Sequence, residues 1–339
     1  MQALTLETPD QPDSMNLVQL ETPEPKEGEV RVKITSVGLN RGDLLYCQGR
    51  YFSKPSPGSR LGFEGAGIVD AVGPTPLNKP LIYKVGDRVA LCPMSFDVKN
   101  QGCLAEFGIY AESSLIPSPE EIEDKESGAI WMAYLTAWGG LIDSGGLIAG
   151  EDVVITAASS SVGLAAIQVA NMIGANSVAT TTSKTKALEI SKLGAKHVVT
   201  VNNTDLKANI EHYVEQVSFL TNNGSDLVFD AVAGPMSHAL IKASKRGGRL
   251  IIHGLLDRKP MDIHAGVLMK RLLTIKGYTL DQTLADERKK HRAIQTLSEG
   301  FNSRVLKPTI AETFKLNEFK DAFQLLSSNS HIGKIIITP

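Results

Sequence analysis

Cysteine is scarce in this sequence, with three among 339 residues. Cys47, Cys92 and Cys103 form no CxxC pair, and an odd, widely spaced trio gives no basis for a disulfide framework. A reducing cytoplasm is the expected compartment. The amino-terminal MQALTLETPDQPDSMNLVQL lacks a basic region followed by an apolar stretch, so no signal peptide is expected. No apolar run approaches the roughly 20 residues of a membrane span. Long runs of one charge are missing too: 35 Lys and Arg stand against 37 Asp and Glu, which makes nucleic acid and membrane surfaces poor partners. There is no internal repeat and no low-complexity tract.

What is present is a core. Hydrophobic residues make up 42% of the chain and charged ones only 21%, enough for one or two compact domains. Up to about Ser118, short β-rich runs such as Val30 to Val37, Gly67 to Val72 and Arg88 to Leu91 alternate with Gly- and Pro-rich turns, the texture of an irregular β domain. The acidic SPEEIEDKE and the apolar GAIWMAYLTAWGGLI then mark a change. From Asp152 onward, strand-like runs (DVVIT, SVATTT, HVVTV, DLVFDAV, RLIIHG) alternate with helix-like ones (LAAIQVANMIGA, KTKALEISKLGA, DLKANIEHYVEQVSFL), which predicts a parallel sheet covered on both faces. After about Gly266 the rhythm loosens. The expected division is 1–125, 126–270, and a tail, 271–339, that returns to the first domain.

VVITAASSSVG, Val153 to Gly163, runs a buried strand through small residues into a helix opening LAAIQVA. Such a turn presents free N–H groups and the positive end of a helix dipole, which suits a pyrophosphate. Ser159, Ser160, Ser161 and Val162 line it, and Gly163 permits close packing of helix on strand. Of GxGxxG only the last glycine stands, so an ordinary tight strand-to-helix turn is the competing reading. The next strand, SVATTTSKTK, carries no Asp or Glu to hold a ribose 2′-OH; the first acidic residue is Glu189. Thr182, Ser183 and Lys184 instead offer hydroxyls and an ammonium where a 2′-phosphate would sit, which favours NADP(H) over NAD. Ser183 equally suits the cap of a helix beginning at Lys184.

Several segments together resemble the medium-chain dehydrogenase/reductase superfamily across essentially the whole chain: EVRVKITSVGLNRGDLL, LGFEGAGIVDAVG, YKVGDRV, AASSSVGLAAIQ, GAKHVV, DLVFDAVAG, GGRLIIHG and HIGKIIITP. The resemblance implies an α/β fold class, with a Rossmann parallel-sheet domain, a GroES-like β domain formed by both chain ends and a substrate cleft between them, commonly in homodimers or homotetramers. Where zinc-dependent members place their catalytic ligands, this sequence has Asn40, Phe63 and approximately Met132, none a substitute for the expected groups. Only Cys92 and Cys103 fall where the four cysteines of a structural zinc lobe would stand. The chain thus looks like the zinc-independent quinone oxidoreductase (zeta-crystallin-like) branch, whose recurring positions match Asn40, Asp43, Gly49 and Tyr51.

The implied reaction is hydride transfer from NADPH to a small-molecule quinone or α,β-unsaturated carbonyl. With no Lewis acid, the charge growing on oxygen must meet hydrogen-bond donors. Tyr51 and Asn40 are the candidates, against readings in which Asn40 caps a helix and Tyr51 packs at a loop. Thr136 lies on a helix that in the family runs beside the nicotinamide, while Tyr134 suits either that role or core packing. Val232, His253, Gly254 and Leu255 stand at strand ends where ligands of open α/β sheets collect; His253 reads as a hydrogen-bonded edge residue. Lys334 resembles a family position near the cofactor phosphates, or else an edge-strand charge. An enoyl-thioester reductase and a catalytically silent nucleotide-binding regulator are the alternatives.

Overall fold

The computed structural model describes residues 1–75, 82–201 and 206–339. Asp205, the first residue of the expected DLKANIEHYVEQVSFL helix, lies outside them, and that helix is observed over Leu206–Leu220. The strands in chain order are β1 (Gln2–Leu6), β2 (Met15–Gln19), β3 (Glu29–Leu39), β4 (Ser59–Arg60), β5 (Gly65–Val72), β6 (Arg88–Leu91), β7 (Phe107–Ala111) and β8 (Leu115–Pro117). There follow β9 (Asp152–Ile155), β10 (Asn176–Thr181), β11 (His197–Thr200), β12 (Ser225–Asp230), β13 (Ser244–Ile252), β14 (Thr274–Gly277), β15 (Ile310–Lys315) and β16 (Lys334–Thr338). The chain divides into two compact units, Met1–Met132 with Pro308–Pro339, and Ala133–Lys307.

In the first unit the main sheet runs β15-β16-β3-β5-β6-β8, with β7 also on β3. β7 and the Glu29–Ser36 part of β3 alternate buried with more exposed residues, so one face there packs inward. Val30, Val32, Val69, Val89, Leu91, Tyr110, Phe323, Ile335 and Ile337 share its core. The closing strand joins the amino-terminal half by antiparallel pairing of Ile335 with Leu39 and Ile337 with Val37, so both chain ends build this GroES-like β unit.

The second unit is a six-stranded sheet in the order β11-β10-β9-β12-β13-β14, parallel throughout. β9 is buried at every position, as a central strand covered on both faces must be. The chain winds outward from β9 through β10 and β11, then returns to the other side of β9 with β12, β13 and β14. This is the Rossmann arrangement, and its order reverses at the carboxyl ends of β9 and β12, where open α/β sheets bind ligands.

The division differs from the sequence expectation at both boundaries. The tail returns to the first unit at Pro308 rather than 271. β14 pairs with β13 from Arg249–Thr274 to Ile252–Gly277, and the helix Glu287–Asn302 buries Ala293, Leu297 and Phe301. The rhythm loosens after Gly266 because β14 is an edge strand with mostly exposed side chains, which removes the apolar signature of a central strand. The earlier boundary falls at 132/133, within the helix Trp131–Trp138.

Candidate active site

Within the second unit, β9 leads through Thr156–Ser160 into the helix Ser161–Met172. Ser160 is the N-cap, and its Oγ accepts from the Gly163 N–H at 3.0 Å. The first N–H groups of any helix have no partner within it; Ser160 takes that of Gly163, and those of Ser161 and Val162 remain at the dipole's positive end. Gly163 has a steric reason: a Cβ there would lie 2.7 Å from both the Ala157 carbonyl oxygen and the Ala158 Cα. Ala157 has φ 47°, a conformation that usually calls for glycine. Ser159, Ser160, Ser161 and Val162 are half-buried, and Ala158 is fully buried. The turn thus keeps the close approach of a glycine-rich loop although serines spell it.

At the end of β10, Thr181 Oγ1 accepts from the Ser183 N–H at 3.2 Å, and Ser183 caps the helix Lys184–Lys192 by accepting from the Lys186 N–H. The capping role expected for Ser183 is therefore present. Thr182 and Lys184 are exposed, and Ser183 is half-buried. Lys186 went unremarked in the sequence, yet it is half-buried in the first turn of this helix, and burial lowers its pKa. Glu189 bonds Lys192 at 2.8 Å, and the segment from Thr181 to Ala187 carries no Asp or Glu.

Where β12 and β13 end, the loops carrying Val232 and His253–Leu255 are tied together. The His253 N–H donates to the Asp230 carbonyl at 2.8 Å, Leu256 N–H to Ala231 O at 3.1 Å and Asp257 N–H to Val232 O at 2.9 Å. Gly254 sits where a Cβ would meet the Ala231 carbonyl oxygen at 2.7 Å. The His253 ring stacks on Phe229 with centroids 3.9 Å apart, and burial pushes its pKa down to about 3, so the imidazole is neutral at working pH. Leu255 is 69% exposed. Thr136 is half-buried in the helix Trp131–Trp138. Tyr134 is a packing residue with its hydroxyl engaged: its one hydrogen is shared between Gln168 Oε1 and Lys307 O, and its ring packs edge-on against Phe301.

In the first unit the structure gathers Asn40, Asp43, Glu64 and Lys334. Lys334 and Glu64 are 2% and 1% exposed, and Lys334 Nζ lies 2.6 Å from Glu64 Oε2 and 2.6 Å from Asn40 Oδ1. Asn40 Nδ2 donates to Gly38 O at 3.0 Å and to Glu64 Oε2 at 3.1 Å. The other Glu64 oxygen accepts from the Met132 N–H at 2.7 Å. Gly38 makes room for this group, since a Cβ would lie 2.5 Å from Lys334 Cε.

Asn40 does stand at the N-cap of the helix Arg41–Cys47, but its side chain serves the buried ion pair. Lys334 lies on an interior strand between β15 and β3, so it is not an edge-strand charge, and its ammonium is engaged by Glu64 and Asn40. Asp43 is buried and accepts from the Asn40 and Phe63 N–H groups at 2.8 and 3.2 Å. Burial pushes its pKa up to about 7 against those bonds and the Lys334 charge. Tyr51 packs on Phe63 with centroids 5.0 Å apart, and a Cβ on Gly42 would meet its ring at 3.2 Å. Glu64 was missed because its partner is far away in sequence; the acid in GFE was the available signal.

The alcohol dehydrogenase GroES-like domain family matches residues 26–122, and the zinc-binding dehydrogenase family matches residues 161–299. Among the described residues, no cluster of three or more His, Cys, Asp or Glu is placed to hold the zinc of that second description. Phe63 offers a hydrocarbon ring, the Asn40 amide is committed, and the Lys334 ammonium already neutralises Glu64. Burial also pushes the Cys47 thiol up to about 12 and Cys103 well above its usual value.

Among characterised proteins, the chain is 27% identical over 329 residues to the synaptic vesicle membrane protein VAT-1 homolog of Danio rerio, spanning 92% of this chain and 64% of that one. It is 28% identical over 341 residues to a phenolphthiocerol/phthiocerol polyketide synthase of Mycobacterium tuberculosis, covering 99% of this chain but only 15% of the synthase. The human quinone oxidoreductase is 27% identical over 316 residues, with 93% and 90% covered. Among solved structures, one described as an NAD-dependent alcohol dehydrogenase superposes with a TM-score of 0.86 at 28% identity over the whole of both chains. The Escherichia coli quinone oxidoreductase complexed with NADPH gives 0.86 at 23% identity, again over both whole chains, a likeness of fold. Among the described residues no helix is long and apolar enough to cross a membrane.

Proposed function

Because the chain belongs to the medium-chain dehydrogenase/reductase superfamily, in its zinc-independent quinone oxidoreductase-like branch, we propose that it is an NADPH-dependent reductase of quinones or α,β-unsaturated carbonyls. The observation that carries this reading is the 156–163 turn at the sheet's reversal point, followed by a segment, Thr181 to Ala187, that has no Asp or Glu and offers hydroxyls and ammonium groups. Bound NADPH would supply a hydride. The N–H groups of Ser161 and Val162 would face its pyrophosphate, with Ser159 and Gly163 allowing the approach. Thr182, Ser183, Lys184 and Lys186 would surround the 2′-phosphate, and Thr136, Val232, His253, Gly254 and Leu255 would meet the remainder through backbone and apolar contact.

In the first unit, Asn40 acts as a positioning residue, because both of its amide hydrogens go to Gly38 O and Glu64 Oε2. Tyr51 is the side chain we assign to donate a hydrogen bond to the substrate oxygen as negative charge grows there. Quinone, NADPH and one proton give hydroquinone and NADP+; an enone gives the saturated ketone, the proton being drawn from water or Tyr51.

The match of nearly this whole chain to a polyketide synthase segment favours a second reading, reduction of an enoyl thioester. NADPH oxidation after exhaustive chelation, with a quinone, an enone and crotonyl thioester as acceptors, tests both. Turnover of the first two is expected; thioester turnover alone selects the second reading, and NADPH binding without any turnover overturns both. We further propose a homodimer formed across β14. That strand ends the sheet with exposed side chains, and Met269 and Leu272 just before it are 74% and 58% exposed.

A further inference from the structure

Asp230, the last residue of β12, is fully buried, and among the described ion pairs none involves it. A carboxylate buried without a cation is costly unless hydrogen-bond donors surround it. Three do. Its Oδ1 accepts from Thr156 Oγ1 at 2.7 Å and the Val232 N–H at 2.9 Å, and its Oδ2 accepts from the Ala233 N–H at 3.0 Å. Thr156 Oγ1 in turn accepts from the Ala231 N–H at 2.8 Å. One carboxylate thus organises consecutive N–H groups after β12 and ties them to the end of β9.

The turn it organises is strained. Ala233 has φ 59° and ψ −142°, a region that a residue with a Cβ enters only when its surroundings force it. Gly234 follows with φ 59°, and a Cβ there would press on the Asp257 carboxyl group at 2.8–3.0 Å. The carbonyls of Ala231 and Val232 then receive the Leu256 and Asp257 N–H groups, so the shape of the first loop sets that of the second. The first loop lies at the reversal point of the sheet, and the second, after β13, lies beside it. Strained backbone held by an otherwise unpaired buried charge fits a loop whose shape has a use.

We propose that Asp230 is a positioning residue: its carboxylate holds Val232–Gly234 in the strained turn that presents the Val232 and Gly254 backbone to the bound dinucleotide. The inference rests on the NADPH-binding reading above. Asparagine at this position keeps the shape but turns an NH2 toward an N–H or O–H donor, leaving one unsatisfied. Glycine at Ala233 tolerates the observed φ and ψ, so the turn then needs less holding.

The test measures NADPH dissociation constants by fluorescence quenching, steady-state kinetics and melting temperature for the wild type, Asp230→Asn, Ala233→Gly, the double variant and Thr156→Val. We expect Asp230→Asn to weaken NADPH binding about tenfold or more, with the quinone KM little changed. Ala233→Gly should return much of that affinity in the Asp230→Asn background. Thr156→Val, which removes one arm of the same network, should weaken NADPH in the same direction and serves if Asp230→Asn does not fold. A lower melting temperature with unchanged NADPH affinity in Asp230→Asn, or in Thr156→Val if that is the variant that folds, would overturn the proposal, as would a double variant no better than Asp230→Asn. A wild type that binds no NADPH would instead remove the functional reading itself and this inference with it.

Discussion

Replacing Lys334 by methionine keeps the length of the side chain but removes the cation that neutralises Glu64. At 2.6 Å and an effective dielectric of about 20, the attraction is worth about 6 kcal/mol before desolvation is charged against it. Both groups are almost entirely buried, so the variant leaves the carboxylate, among the described residues, with the Met132 N–H and the Asn40 amide as donors. Removing one member of such a pair costs about 3–5 kcal/mol, equivalent to a fall of about 6–20 °C in melting temperature for a unit of this size. Glu64→Gln in the same background removes the orphaned charge, and the Glu64→Gln/Lys334→Met double variant should recover more than half of the loss. Differential scanning calorimetry of the wild type, both single variants and the double variant gives the cycle. The reasoning is refuted if Lys334→Met costs less than about 1 kcal/mol or if the single effects simply add.

Three further outcomes follow. Gly163→Val places a branched side chain into the Ala157–Ala158 backbone, where even a Cβ stands at 2.7 Å; NADPH affinity should fall about 100-fold by titration calorimetry, and unchanged affinity would place the nucleotide elsewhere. Lys186→Glu should weaken NADPH about 10–100-fold while leaving NADH unchanged or tighter, read as the ratio of the two dissociation constants; equal loss for both would remove the 2′-phosphate assignment. The third concerns pH. Burial raises the Asp43 pKa from 3.8 to about 7, so between those values the folded state holds more protons than the unfolded one. The stability Asp43 contributes is full below about pH 4 and is lost as pH rises through about 7. The melting-temperature difference between wild type and Asp43→Asn should therefore shift against the wild type over that window and level off above it, whereas a flat difference would contradict the assignment.

Much of the fold is legible because the apolar runs of a doubly covered parallel sheet and the alternating runs of a one-sided β unit are different patterns. DVVIT, DLVFDAV and RLIIHG are central strands for that reason, and VVITAASSSVG places its turn where the sheet order reverses. The boundary near 271 was misleading because an exposed edge strand such as β14 has lost the apolar pattern that would tie it to its neighbours. Side-chain commitments were beyond reach of the sequence. Asn40 reads as a cap or a substrate donor until Lys334, 294 residues away, is seen to hold its oxygen. Lys334 reads as a surface charge until β16 is found between β15 and β3. Glu64 and Asp230 lie in plain view within GFE and DLVFDAV, but a carboxylate inside an apolar run acquires a meaning only when its donors are known. Lys186 was overlooked in favour of Lys184, since the depth of each ammonium depends on the helix start that Ser183 caps.

In the reaction proposed above, hydride passes from NADPH to an acceptor with no metal involved. The most direct measurement is single-turnover NADPH oxidation by chelator-treated enzyme, with a quinone and an enone, using cofactor deuterated at one or the other C4 position. The account predicts that one labelled form slows the reaction about twofold or more, the signature of a C–H bond broken in the transition state, while the other does not, and that chelation changes neither rate. Turnover that disappears on chelation and returns with zinc, or oxidation indifferent to both labels, would contradict it.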